Sequence, residues 1–177
     1  MKHPDARAAI WPVWASGLAA ALLFACIENY LSPLSPGPIQ LQLAFTPRAF
    51  GEVVHAWPPE HLARYRAHFA ADFALLLCYG AFGRWLVMRS ALTARLPIDW
   101  RAAARWMMPL AAACDATENF AHLWLTEMPR FGLAWLYASS AIVAALKWVL
   151  IGCFVLTVLA ALATQAWARW GQRGRST

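Results

Sequence analysis

The chain has little charge. Asp, Glu, Lys and Arg make up 14% of its 177 residues, with nine acidic against fifteen basic. A soluble domain carries about 25% charged residues, so an ordinary water-facing surface is excluded. The four cysteines (Cys26, Cys78, Cys114, Cys153) include no CxxC pair and fall one to each long apolar run. That spacing excludes a zinc ribbon or a disulfide framework and reads as small buried hydrophobes. No nucleophile elbow, phosphate loop or Gly-rich cofactor box is present, which removes the chemistries those motifs carry. Basic residues form no stripe on a soluble element, so nucleic acid is excluded as a partner.

What is present is apolar. Hydrophobic residues reach 61%, mean hydropathy is +0.46, and there are 11 Trp. Apolar runs over about 8–31, 67–88, 106–126 and 134–163 each meet the roughly 20 residues a helix needs to cross about 30 Å of hydrocarbon. The expected fold is all-α, a polytopic four-transmembrane-helix bundle forming one integral membrane domain over residues 1–177. Lys2 and Arg7 before the first run resemble a signal peptide, but the run is long enough to span, so it is read as a membrane helix.

Basic residues set the orientation. Lys2, Arg7, Arg84, Arg89, Arg95, Arg101, Arg105, Arg169, Arg173 and Arg175 fall on one side, and Arg48, Arg64, Arg66 and Arg130 on the other. The positive-inside rule then makes both termini cytoplasmic in a bacterial inner membrane, with membrane lipid as the first partner. Trp85, Trp100, Trp106, Trp167 and Trp170 read as the inner aromatic belt, and Tyr30, Trp57, Trp124, Trp135 and Tyr137 as the outer one.

The outward loop 32–66 has its own pattern. Pro33, Pro36, Gly37 and Pro38 argue against helix, and residues 39–43 alternate as a short extended segment does. Thr46 can cap an amphipathic surface helix over about 47–57, with Phe50, Val53, Val54 and Trp57 on one face. It reads equally as a lid or a brace.

The polar residues inside the spans are the informative ones. His61, Tyr65, His68, Asp72 and Tyr79 follow one helical stripe. Asp115, Glu118 and His122 share a face of the third span with Asn119 beside them, and Asp99 can cap that helix. Lys147 sits mid-span with Ser140 seven residues earlier, and Glu28 lies in the last turn of the first span. At 1.5 Å per residue, Asp115 and Lys147 lie at similar depths, ~17 and ~18 Å below the outer edge, with Glu118, Asp72 and His122 above them. Each mid-span charge costs about 2.5–3.5 kcal/mol on insertion scales, so the group together opposes insertion by on the order of 10 kcal/mol. Such groups are expected to face inward, pair and meet water from the outer side, with Lys147–Asp115 as the ion pair and at least one carboxylate protonated or cation-bound.

Three chemistries fit. The first is a pocket that binds a small amphiphilic or lipid-like ligand through Glu28, Asn119, His122, His68, Tyr65, Tyr79 and Ser140. The second is a membrane enzyme, an acid-base isomerase or metal-dependent hydrolase, using Asp115, Glu118, Lys147 and Asp72 catalytically. Its metal would be zinc or iron on Asp115, Glu118, His122, His68 and Asp72, although the spacing matches neither H-E-x-x-H nor the Glu-x-x-His element of di-iron bundles. The third is a buried network that fixes helix register. A homo-oligomer is a further expected partner, since four spans are few for a transporter. Glu28-Asn29-Tyr30 and Glu118-Asn119-Phe120 also hint at a parallel internal repeat.

Phe45-Thr-Pro-Arg-Ala-Phe50, then Trp57, Tyr65, Asp72, Tyr79, Asp115-x-x-Glu118-Asn119 and Lys147, resemble a group of uncharacterised bacterial four-span inner-membrane proteins. The chain is more distantly similar, without a shared motif, to the four-span sterol-isomerase and sigma-2-receptor superfamily. That likeness implies carboxylates in a lipid-accessible cavity.

Overall fold

The computed structural model describes residues 10–173, with side chains as far as Ala168. Lys2, Arg7 and Arg175, and the side chains of Arg169, Trp170 and Arg173, lie outside that range. The described chain is helical: α1 (Trp11–Leu31), α2 (Pro38–Gln42), α3 (Pro47–Ala56), α4 (Pro59–Ala67), α5 (Phe69–Arg89), α6 (Ile98–Glu127) and α7 (Ala134–Arg173), with one 3₁₀ turn at Ala91–Thr93. Among the described residues three stretches are long and apolar enough to cross a membrane: Trp11–Leu31, Pro59–Arg89 and Ala134–Ala168. The 30 residues of α6 could reach about 45 Å, but its polar face leaves it less apolar than the others.

Proline and threonine set the helix starts. Proline stands at the first turn of α1, α2, α3 and α4, where its missing N–H has no helical partner to lose. The Thr46 hydroxyl accepts from the Ala49 N–H at 3.1 Å, the cap that its position ahead of Pro47 predicts. Residues 39–43 are a correction: α2 occupies Pro38–Gln42, because Pro38 fits a first helical turn and buries Leu41. Asp99 is another correction. It lies inside the first turn of α6, where it favours the helix dipole, and Pro97 occupies the cap position with no side-chain bond.

The long helices pack in sequence order, α1 on α5, α5 on α6 and α6 on α7, while α5 and α7 flank α6 and approach each other little. Small residues make the close contacts. A Cβ at Gly17 would lie 2.8 Å from the Phe82 ring, and one at Gly80 3.2 Å from the Ala112 Cβ. At Gly83 it would overlap the first side-chain atoms of Met108. Glycine at these crossings lets α5 lie against α1 and α6 by van der Waals packing, the attraction available between helices in lipid.

Two apolar cores result. One, at the capped end, joins α1, α5, α6 and α7 to the segment 34–65 through Leu31, Leu41, Phe50, Val53, Trp57, Tyr65, Leu125 and Tyr137. The other, near the 90–97 connector, contains Val87, Ala104, Met108 and Phe154. The capping segment is fastened by side chains. Trp57 Nε1 donates to the Pro36 carbonyl at 2.7 Å, Arg64 to the Tyr30 carbonyl at 2.9 Å, and Arg66 to the Thr126 hydroxyl at 3.0 Å. Trp57 and Tyr137 are therefore core residues rather than belt residues. Cys26 and Cys153 are exposed, not buried as their apolar character suggests.

Candidate functional site

Between the two cores lies a layer of polar side chains. Steps of three and four along α6 carry Asp115, Glu118 and His122 on one buried face. A matching stripe on α7 (Tyr137, Ser140, Ala144, Lys147) is buried against it. Lys147 Nζ donates to Asp115 Oδ1 and to Glu118 Oε2, each at 2.8 Å. The depth arithmetic that made Lys147 level with Asp115 thus corresponds to a direct bond. With Lys147 2% exposed, Glu118 1% and Asp115 8%, these ions are held largely out of contact with solvent.

The rest of the network reaches α4 and α5. Tyr79 donates its hydroxyl to Asp115 Oδ2 at 3.1 Å, and Asn119 Nδ2 donates to Asp72 Oδ2 at 2.5 Å. Tyr65 from α4 meets His122 Nδ1 at 2.7 Å. Charge-assisted bonds of this length, closed on both sides, are the condition under which a buried ion pair offsets its desolvation. Asp72, Asn119, Tyr65, Tyr79, Asp115, Glu118, His122 and Lys147 are therefore brought together.

Four expectations need correction. Glu28 is exposed on α1 and joins no member of the layer, because it falls outside the buried face of that helix; it and the buried Glu118 stand in different surroundings. His68 is buried beside the layer, but its Nδ1 bonds the Tyr65 carbonyl one turn back and its ring lies 4.4 Å from that of Phe69. The metal set Asp115, Glu118, His122, His68 and Asp72 does not converge. Among the described residues no group of three His, Cys, Asp or Glu is arranged to hold a metal, and the Lys147 ammonium lies between the two carboxylates that would lead such a set.

The fourth correction concerns the mouth. An opening toward the loop side is expected from the sequence, but that side is covered. The Phe50 ring of α3 makes T-shaped pairs with His122 and Tyr137, at centroid distances of 5.5 and 5.1 Å, and the Trp57 ring lies 5.0 Å from that of Tyr65. Phe50 and Tyr137 are the residues that sequence reasoning missed as parts of the site. Tyr137 could have been found, since it lies three and ten residues before Ser140 and Lys147 on the same stripe.

On the opposite side of the layer is an apolar crevice of about 250 Å³, bounded by Phe82 and Leu86 of α5, Met108 of α6 and Ile151, Phe154 and Val155 of α7. It exists because α5 and α7 stand apart across α6. Lys147 is four residues from Ile151 and Tyr79 three from Phe82, so the crevice ends within about one helical turn, ~6 Å, of the ion layer. Comparison of the chain with known protein families, curated proteins and solved structures finds no match. The functional reading rests on this geometry.

Proposed function

We propose that this is a four-span inner-membrane protein, termini cytoplasmic, that binds a single-chain amphiphile with its tail in the crevice and its polar end against Tyr79, Asp115 and Lys147. The orientation rests on basic residues gathered at the connector side, where Arg84 lies 4.3 Å over the Trp106 ring. A fluorescent protein fused after Thr177 is expected to fluoresce and a phosphatase fused there to stay inactive. The reverse pattern overturns the orientation.

The observation that carries the binding reading is the juxtaposition of an entirely apolar slot with a hydrogen-bonding layer. Apolar pockets with a few convergent polar groups are what small-molecule sites look like, and about 250 Å³ lies just below their usual range, a size suited to one chain. Access is from the bilayer, between α5 and α7, rather than from the outer aqueous side. Asn119, His122, Tyr65 and Asp72 hold the layer in register behind the contact surface.

The test is retention of a bound amphiphile by the full chain in nanodiscs, read by native mass spectrometry. Wild-type protein is expected to carry one single-chain adduct, and Val155→Trp, which fills the crevice, to lose at least ten-fold of it with helicity intact. Wild-type protein without such an adduct, or a Val155→Trp variant that keeps it, would falsify the reading.

A further inference from the structure

On the facing stripes of α6 and α7, toward the side Phe50 covers, three buried polar atoms have no hydrogen-bond partner among the described residues: Glu118 Oε1, His122 Nε2 and Ser140 Oγ. All three residues are at least nine-tenths buried, at 1%, 1% and 6% exposure. A buried polar atom left unpaired costs about 1–3 kcal/mol, and three on facing stripes of α6 and α7 are not the residue of careless packing.

The helix register sets Ser140 level with His122, with Glu118 reaching up from the layer below. The Lys147 bonds align that residue with the Asp115–Glu118 segment of α6. Ser140 lies seven residues, two turns, nearer the capped end on the same stripe of α7, and His122 four to seven residues nearer on α6, so both rise by ~6–10 Å. The Phe50 ring, which touches both His122 and Tyr137, closes the space above them. Glu118 Oε1 stands 3.9 Å from His122 Nδ1, too far for a direct bond.

Tyr65 Oη and His122 Nδ1 share one hydrogen bond whose direction sets the imidazole tautomer, so Nε2 is a donor when Tyr65 donates and an acceptor when it accepts. Glu118 Oε2 is held by Lys147, leaving Oε1 as an acceptor. The Ser140 hydroxyl can act as either. A group that both donates and accepts serves either tautomer. A carboxylate would face Glu118.

We infer that Glu118 Oε1, His122 Nε2 and Ser140 Oγ form a cradle for one neutral O–H group, supplied either by a trapped water molecule or by the hydroxyl of a bound alcohol. The cradle lies on the far side of the ion layer from the crevice and stands independently of the amphiphile reading. Once occupied, it joins Tyr65 and His122 to Glu118, Lys147, Asp115 and Tyr79 as one hydrogen-bonded chain across four helices.

The experiment is a nanodisc cryo-electron microscopy map of the full chain, wild type and Ser140→Ala, each bound to an antibody fragment for alignment. The wild type is expected to show one oxygen-sized peak within hydrogen-bond distance of the three atoms, weakened or absent in Ser140→Ala with the helices unmoved. An isolated peak with no accompanying adduct in native mass spectrometry identifies water. A peak that continues into chain density, with an added mass, identifies an alcohol. The inference is overturned by a wild-type map with no peak, or by one in which the three atoms pair with other protein groups. It is overturned equally if added hexadecylamine or hexadecanoic acid occupies the position and hexadecanol does not.

Discussion

Replacing Lys147 with methionine is expected to cost about 3–5 kcal/mol of folding stability, the usual penalty for removing one partner of a buried ion pair. Lys147 is the one cation hydrogen-bonded to the carboxylates of the layer among the described residues. Its ammonium holds Asp115 and Glu118 at once. Methionine is one atom shorter and keeps most of the packing of the lysine stem, so the loss comes chiefly from the charge. Two buried carboxylates would remain side by side, with Tyr79 as the nearest remaining donor to Asp115. The triple variant Lys147→Met, Asp115→Asn, Glu118→Gln removes the charges together and is expected to recover most of that loss, as neutral replacements of buried ion networks do. Reversible unfolding in mixed detergent and sodium dodecyl sulfate micelles measures both. A single variant as stable as wild type means that water reaches the carboxylates and the layer is not closed. A triple variant that folds and still retains amphiphile assigns the layer a register-fixing role alone; folding with lost retention supports binding.

Local physics made parts of this legible in the sequence, and long-range packing hid others. The Asp115, Glu118, His122 face follows from helical periodicity alone, and the Lys147 pairing from 1.5 Å per residue on two antiparallel helices. Thr46 before Pro47 announces α3 for the same local reasons. Glu28 was misread because position along a span says nothing about azimuth: it lies in the last turn of α1 and is exposed rather than buried. Whether the layer opens upward depends on where the tethered segment 32–66 settles. Its anchors, Trp57 to Pro36 and Arg66 to Thr126, join residues 21 and 60 positions apart. The crevice likewise arises from the distance between α5 and α7, which no single helix encodes. Gly17, Gly80 and Gly83 draw α5 toward α1 and α6 and not toward α7.

Phe50→Ala should have the other large effect, about 3–5 kcal/mol, the usual cost of deleting a buried phenyl ring. Phe50 is 3% exposed and contacts two aromatic neighbours edge-on, so truncation removes both contacts and opens a path to His122. The functional consequence separates a cover from a brace. If α3 covers the layer, His122 should be unreactive toward diethyl pyrocarbonate in the wild type and modified in Phe50→Ala, read by peptide mass spectrometry under conditions where both proteins are folded. Phe50→Leu, which keeps the space filled, should stay protected and lose about 1 kcal/mol. A Phe50→Ala protein that unfolds like wild type and keeps His122 unreactive would mean that the closure is made elsewhere, by Trp57 and Tyr137 across the top of α4 and α7. Loss of stability with His122 still protected would make α3 a brace. Because the Phe50 ring is the point where the capping segment, α6 and α7 meet, a selective gain of His122 reactivity ties opening of the loop side directly to movement of α3.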